Sequence, residues 1–190
     1  PYHFWGCFVY CFSNIFLFTA STLYHSFFMV PGAQYIFQMM DHSGIYILIA
    51  GSYTPVLLIG MHGLMSARML LVGHWLLVFF GTVATMISSD YDNVARMIVE
   101  TATYVIMGNS CFFIWSDFTR VFPPEALRLL AISGTLYVTG VIFYAKGVAT
   151  PIYHVVFHMF VLVAACIHWF MVYYYILPMD ITSCATEGVE

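Results

Sequence analysis

The sequence predicts an all-α integral membrane protein, a bundle of helices that cross a lipid bilayer. Of its 190 residues, 62% are hydrophobic and only 7% are charged, and its mean hydropathy is +0.90. These values lie outside the range of ordinary soluble domains. The apolar residues occur in long runs without the alternation of barrel strands, so the membrane-crossing segments are predicted to be helices.

Six apolar runs are long enough to cross the hydrocarbon, which takes roughly 20 residues of helix. Because the connecting segments are short, neighbouring helices are expected to be antiparallel and to form one domain. In chain order, the predicted spans a to f are residues 4–28, 43–60, 68–88, 94–115, 127–145 and 151–177.

Each break between spans carries residues that end or start helices. Thr150 followed by Pro151 fits an N-cap with proline at the first helical position, which sets the start of span f. Pro55, inside span b, cannot donate a hydrogen bond to Gly51, so we expect it to kink that helix. The five breaks read PG (31–32), GMHG (60–63), SSDYDN (88–93), DFTRVFPPE (117–125) and AKGVATP (145–151).

Charge and cysteine content exclude several kinds of partner. The five Lys and Arg residues are scattered and the formal net charge is -4, so no nucleic-acid surface or polybasic lipid-binding run is present. The five cysteines form no Cys-x-x-Cys motif and are interpreted as small core residues. The chain opens on Pro1 and enters an apolar run at once, so a preceding segment is expected to be missing.

Four polar residues are predicted to lie at the same face of the membrane, denoted side X, where span a ends. His25 is near the end of span a, and Asp41 immediately precedes span b. His154 and His158 are in the first two turns of span f, which starts on side X because successive spans alternate in direction. Topology therefore makes these four residues candidates for one site.

Spacing within the helices indicates a metal site. His154 and His158 are four residues apart, so both imidazoles lie on one helix face and can hold one ion; Ser21 and His25 have the same spacing. Three imidazoles, a nearby carboxylate and an open fourth position are typical of catalytic zinc rather than closed structural zinc. The alternative is that these histidines are interfacial anchors or packing residues, although ionisable groups within a membrane tend to be functional.

Other polar residues are given structural interpretations. His168 is roughly 21 Å from His154 along the helix axis, too far to bind the same ion, and is expected to line the interior or bond a neighbouring helix. His42 could contact the site but is predicted to lie in an interfacial loop. Glu100 is predicted to form a local ion pair with Arg96. No role is assigned to His3, His62 or His74.

Three segments resemble the hemolysin III family, part of the progestin and adiponectin receptor superfamily of seven-helix membrane proteins. They are STLYHS (21–26), MMDHSGIYILIAGSYTP (39–55) and HVVFHMFVLVAACIH (154–168), which occur in the family's order. The resemblance covers essentially the whole chain. It implies a hemolysin-III-related transmembrane domain at residues 1–178, followed by a short polar tail at 179–190.

The resemblance also implies a ligand set. The zinc ligands of the family correspond to His25, His154 and His158, the carboxylate that holds or activates a zinc-bound water to Asp41, and the neighbouring hydroxyl to Ser21. The family has seven spans and this chain shows six, so its first helix is expected to precede Pro1. Side X would then face the cytosol; the distribution of Lys and Arg does not decide orientation.

Three functions are compatible with this sequence. The first is zinc-dependent hydrolysis of a membrane lipid amide or ester, with Asp41 relaying a proton and Ser21 donating to the oxyanion; ceramide-like amides are the first class to test, since alkaline ceramidases are similar. The second is a ligand-sensing receptor in which zinc is structural. The third is pore formation, which the family's name suggests, although the spans lack continuous polar stripes.

Overall fold

The computed structural model describes residues 1–27, 29–87 and 93–180, and these residues form helices joined by short connections. No strand occurs among them. The α-helices are α1 Tyr2–Ser26, α2 Pro31–Pro55, α3 Met65–Ile87, α4 Val94–Gly108, α5 Trp115–Val121, α6 Pro124–Gly147 and α7 Pro151–Met171. Three short irregular helices are a π-helix at Val56–Gly60, a 3₁₀-helix at Ser110–Ile114 and a π-helix at Val172–Ile176.

The predicted all-α multi-pass membrane architecture is confirmed. Within the described residues, six helical stretches are long and apolar enough to span a membrane: Tyr2–Ser26, Gly32–Gly60, Met65–Ile87, Val94–Val121, Pro124–Gly147 and Pro151–Ile176. Residue 28 of span a, residue 88 of span c, most of the break at 88–93 and most of the predicted tail lie outside the described residues.

The predicted start of the second span was wrong. We placed it at residue 43, but α2 begins at Pro31, and the N–H of Gln34 donates to the carbonyl oxygen of Val30 at 2.8 Å. A proline has the backbone angle of a first helical turn already set, so Pro31 starts one helix as well as separating it from the last. Asp41 therefore lies within α2 rather than before it.

Pro55 changes the type of helix in the second span. The regular α-helix ends at this residue, and the chain continues as the π-helix Val56–Gly60, where the N–H of Met61 donates to the carbonyl oxygen of Val56 at 3.1 Å. Gly63 then adopts a positive φ of 91°, a conformation that favours glycine. The disturbance expected from Pro55 thus appears as a change in hydrogen-bonding pattern.

The chain divides into two compact units, residues 1–107 and 108–180. In the first unit α2 is the central helix. Of an 18-residue apolar stretch in each span, 72% is buried in the span that contains α2, compared with 28% in α1 and 17% in α3. Small residues let its neighbours approach closely. Gly44 faces Leu17 on α1, and Gly81 on α3 faces the ring of Tyr46.

In the second unit α6 packs along α7. Gly140 on α6 faces Phe157 and Phe160 on α7, and the rings of Phe143 and Phe160 are stacked with centroids 5.1 Å apart. At the end of α6, Gly147 lies against the backbone of His154. This packing fixes the first turns of α7, where two of the candidate metal ligands lie.

Replacing Gly81 with alanine should destabilise the first unit. A Cβ atom there would lie 2.6–2.8 Å from ring atoms of the buried Tyr46, which cannot move without disturbing the core. We expect a loss of about 1–3 kcal/mol in the free energy of unfolding. The control is Gly73→Ala on the same helix, where a Cβ atom would meet no atom within 4 Å. Its free energy of unfolding in detergent should be unchanged or slightly higher. Equal stabilities of the two variants would contradict this packing.

Candidate metal centre

The first unit brings together three of the predicted site residues. Ser21 and His25 lie one turn apart near the end of α1, and Asp41 lies on α2. The Ser21 hydroxyl and the imidazoles of His25 and His42 lie near enough to the Asp41 carboxylate to interact with its charge. Asp41 is half-buried and His25 is exposed. A carboxylate, a hydroxyl and an imidazole are thus neighbours at this end of α1.

The second unit holds the other two predicted ligands. His154 and His158 lie in the first two turns of α7, with ring centroids 4.7 Å apart and planes inclined at 78°. Each ring offers one nitrogen, and these two nitrogens lie within 4.8 Å of each other. Both side chains are half-buried.

Local structure explains why the two imidazoles are held side by side. Thr150 occupies the N-cap of α7 and Pro151 opens the helix, as predicted, although the Thr150 side chain makes no capping hydrogen bond. The ring of Phe157 packs against both imidazoles, with centroids 5.7 Å from His154 and 5.2 Å from His158. This aromatic contact limits the orientations that the two rings can adopt.

The donor atoms suit zinc. Zinc is commonly bound by imidazole nitrogens at about 2.0–2.1 Å and tolerates carboxylate oxygen. Rotation of the two side chains would be needed to bring these nitrogens, which lie within 4.8 Å of each other, to a common ion. His25 offers a further imidazole nitrogen, and Asp41 offers an oxygen beside it. The residues present therefore fit a zinc ion chemically.

Sequence reasoning missed one group of contacts, centred on Glu100 of α4. The predicted ion pair is present, with Arg96 Nε 2.9 Å from Glu100 Oε1. The other carboxylate oxygen lies 3.0 Å from His42 Nδ1, and the hydroxyl of Thr85 on α3 donates to Oε1 at 3.3 Å. His42 is therefore on a helix and paired, so its predicted place in an interfacial loop was wrong. Pro31 is the sequence feature that could have placed His42 on a helix, because proline is favoured in the first turn of a helix.

Two further histidines are buried in the helices. His74, to which we assigned no role, lies 2.8 Å from the carbonyl oxygen of Leu70 and 3.3 Å from that of Met107, and its ring packs against Tyr53. It therefore connects α2, α3 and α4. His168 is buried in the second unit. Burial agrees with the structural interpretation of His168.

Comparisons with known proteins give consistent results. A family model described as Haemolysin-III related matches residues 1–169. Hemolysin-3 of Bacillus cereus is 34% identical over 171 residues, which are 90% of this chain and 74% of the relative. The Hemolysin-3 homolog of Bacillus subtilis (strain 168) is 31% identical over 172 residues, 90% of this chain and 77% of the relative.

A more distant similarity extends to animals. The monocyte to macrophage differentiation factor of Homo sapiens is 28% identical over 164 residues, which are 84% of this chain and 66% of the human protein. No solved structure matches the chain.

Adding a methyl group at Gly147 should weaken metal binding. Its Cβ would lie 3.0–3.1 Å from the backbone nitrogen, Cα and Cβ of His154, so the start of α7 would have to shift. We expect about tenfold weaker zinc binding by Gly147→Ala, measured by competition with a chelator. Gly134→Ala on the same helix, where a Cβ meets no atom within 4 Å, should bind zinc as the unchanged protein does. Wild-type affinity in Gly147→Ala would show that this contact does not position His154.

Proposed function

The chain belongs to the haemolysin-III related family of multi-pass membrane proteins, and from this membership and its histidines we propose that it binds zinc near one membrane face and hydrolyses a lipid amide or ester. Zinc would be held by His25, His154 and His158. Asp41 and Ser21 would act on the substrate and on water.

The observation that carries this proposal is the placement of the Asp41 carboxylate beside His25 and Ser21 within a membrane-spanning stretch. A carboxylate is costly at such a position, and residues of this kind usually serve a function. An imidazole and a hydroxyl beside it are the groups that water activation needs. A helix-packing role alone would not require this combination.

Two further observations support the three-histidine ligand set. His25, His154 and His158 each offer one ring nitrogen as a metal ligand. His25 is at the end of α1 and the pair is at the start of α7. If the six spans alternate in direction, as the sequence predicts, these two helix ends would lie on the same side of the membrane. The i,i+4 pair supplies two ligands from one helix, so only one more helix has to contribute.

Asp41 and Ser21 would have separate roles in the proposed hydrolysis. A bound zinc ion would supply Lewis acidity to the site. The Asp41 carboxylate would accept a proton from the attacking water, since it is a proton acceptor near the candidate ligand His25. When substrate binds, the Ser21 hydroxyl could turn to donate a hydrogen bond to the oxygen of the carbonyl under attack.

The substrate is proposed to be a membrane lipid. The helices present large apolar side chains on their outer surfaces, so a lipid can approach from within the bilayer without passing through water. Ceramide-like amides are the first class to test, because the family resemblance extends to enzymes of that chemistry. A ligand-sensing receptor with structural zinc is the alternative, in which Asp41 only orders water beside the metal.

Zinc content should depend on all three histidines. Alanine at His25, His154 or His158 should each lower bound zinc to well below one ion per chain, because two imidazoles hold the ion far less tightly than three. Metal analysis of the purified, folded protein measures this. His62→Ala is the control, since His62 contacts the ring of Tyr2 in the turn after the second span. Full zinc content in the His25 variant would exclude it as a ligand.

Turnover should depend on Asp41 without loss of zinc. Asp41→Asn keeps the size of the side chain but removes the proton acceptor, so hydrolysis of a ceramide-like amide in lipid nanodiscs should fall by about 10²-fold or more. The control is Asp117→Asn, which changes an exposed ion pair with Arg120.

The other functions give different results in the same preparation. Loss of both zinc and helix packing in Asp41→Asn, with no lipid cleaved by the unchanged protein, would favour the receptor with structural zinc. Leakage of dye-loaded vesicles that persists in His154→Ala would favour zinc-independent permeabilisation, the activity that the name hemolysin describes for the bacterial relatives.

A further inference from the structure

Both ring nitrogens of His74 lie next to backbone carbonyl oxygens. Nδ1 is 2.8 Å from the carbonyl oxygen of Leu70, one turn earlier on α3, and Nε2 is 3.3 Å from the carbonyl oxygen of Met107 on α4. The residue is only 2% exposed. The ring therefore faces two hydrogen-bond acceptors in the interior of the first unit.

A neutral imidazole cannot donate to both of these oxygens. It carries a hydrogen on one ring nitrogen only, and its other nitrogen is an acceptor, whereas a carbonyl oxygen can only accept. With a neutral ring, one of the two contacts would bring two acceptors together, which is unfavourable away from water. The imidazolium form carries a hydrogen on each nitrogen and can donate to both oxygens.

Two further features of the surroundings favour a positive charge on this ring. Met107 is in the last turn of α4, which ends at Gly108, and the carbonyl oxygens at the C-terminal end of a helix carry partial negative charge. The ring of Tyr53 on α2 packs against His74 with centroids 4.4 Å apart, close enough for a cation–π contact. Burial acts in the opposite direction, because it removes water from the charged form. The charge of the ring is set by the balance of these effects and can change with proton concentration.

Other ionisable groups of the neighbouring helices lie farther along them. Tyr53 is the ionisable side chain that faces the ring from α2. On α4, the Tyr104 hydroxyl donates to a carbonyl oxygen of α2 at 3.0 Å. Glu100 is also on α4, roughly 10 Å along the axis from Met107, and Arg68 on α3 is roughly 9 Å along the axis from His74. The π-helix after Pro55, which also packs against α3, has the sequence VLLIG and contains no ionisable residue.

The contact with Met107 lies directly before a change in helix type. After α4 ends at Gly108, the fourth span continues as the 3₁₀-helix Ser110–Ile114. A stretch of 3₁₀-helix inside a longer helix often marks a hinge, because its hydrogen bonds have poorer geometry than those of an α-helix. A bond from His74 to this turn therefore acts on the part of the span where the backbone is least regular.

We propose that His74 is a proton-binding site that joins α3 to the end of α4 when the ring is charged and releases α4 when the ring is neutral. On deprotonation one proton passes from Nε2 to water. The remaining hydrogen stays on Nδ1, since the contact with Leu70 is the shorter of the two and lies within one helix. Nε2 then presents a lone pair to the Met107 oxygen, and the two atoms move apart. The bond is closed at low pH and opens as the pH rises through the titration of the ring. This inference does not depend on the proposed hydrolysis or on zinc.

Solid-state NMR of the unchanged chain in lipid bilayers tests the proposal. With ¹⁵N-labelled histidine and ¹³C-carbonyl-labelled methionine, nitrogen shifts report which ring nitrogens are protonated, and dipolar coupling reports the proximity of Nε2 to the Met107 carbonyl carbon. At the acidic end of a pH series we expect both nitrogens of His74 to be protonated and the coupling to be present. At the alkaline end we expect only Nδ1 to be protonated and the coupling to be lost.

Variants identify the signals and supply the control. The His74 signals are those that vanish in His74→Gln, and the coupled carbonyl signal is the one that vanishes in Met107→Leu, which keeps the backbone oxygen. The coupling itself also identifies the His74 ring, so the measurement does not require a folded His74 variant. His62→Gln is the matched control, because His62 contacts the ring of Tyr2 instead, and both changes should occur at the same pH as in the unchanged protein.

Three results would overturn the proposal. The first is a His74 ring that carries a single proton throughout the pH series, and the second is a ring that carries two throughout. The third is a ring that titrates while its coupling to the Met107 carbonyl carbon stays the same. Each of these results can be obtained with protein that cleaves no lipid and binds no metal.

Discussion

Hydrocarbon offers no hydrogen bonds, and the polar groups in the spans are arranged accordingly. Several serine and threonine side chains donate to carbonyl oxygens of their own helices, as Thr54 does to Ala50 at 2.7 Å. Both oxygens of Glu100 have polar partners, and both ring nitrogens of His74 lie next to carbonyl oxygens. An unsatisfied polar group in the membrane costs several kcal/mol, so these pairings stabilise the folded helices.

The residues of the candidate metal centre have different surroundings from those of Glu100. His25 is exposed, and one ring nitrogen of His154 lies within 4.8 Å of one ring nitrogen of His158. Asp41 has a serine hydroxyl and imidazoles as neighbours, whereas Glu100 has an arginine beside it. The Glu100 group is a charge pair, whereas the Asp41 group combines a carboxylate with a hydroxyl and imidazoles.

Composition and run length were sufficient to predict the spans, because crossing the bilayer imposes a minimum apolar length that few other segments meet. The start of α2 was not predicted, because the polar residues of its first turns resemble a loop and Pro31 was interpreted only as the end of the preceding helix. Ser21 with His25, and His154 with His158, were predictable because helical spacing is local. The pairing of His42 with Glu100 was not. This contact joins residues that are 58 positions apart in the sequence. Apolar residues face both the lipid and the protein interior, so the hydropathy of a helix does not predict which of its faces points towards its neighbours.

The proposed zinc site requires imidazoles from helices far apart in the sequence to bind one ion. X-ray absorption at the zinc edge, on the unchanged protein in lipid, tests it most directly because it counts the ligands and identifies their atoms. We expect three imidazole nitrogens and one oxygen, at about 2.0–2.1 Å. Fewer than three imidazoles, or any sulfur ligand from the cysteines, would contradict it.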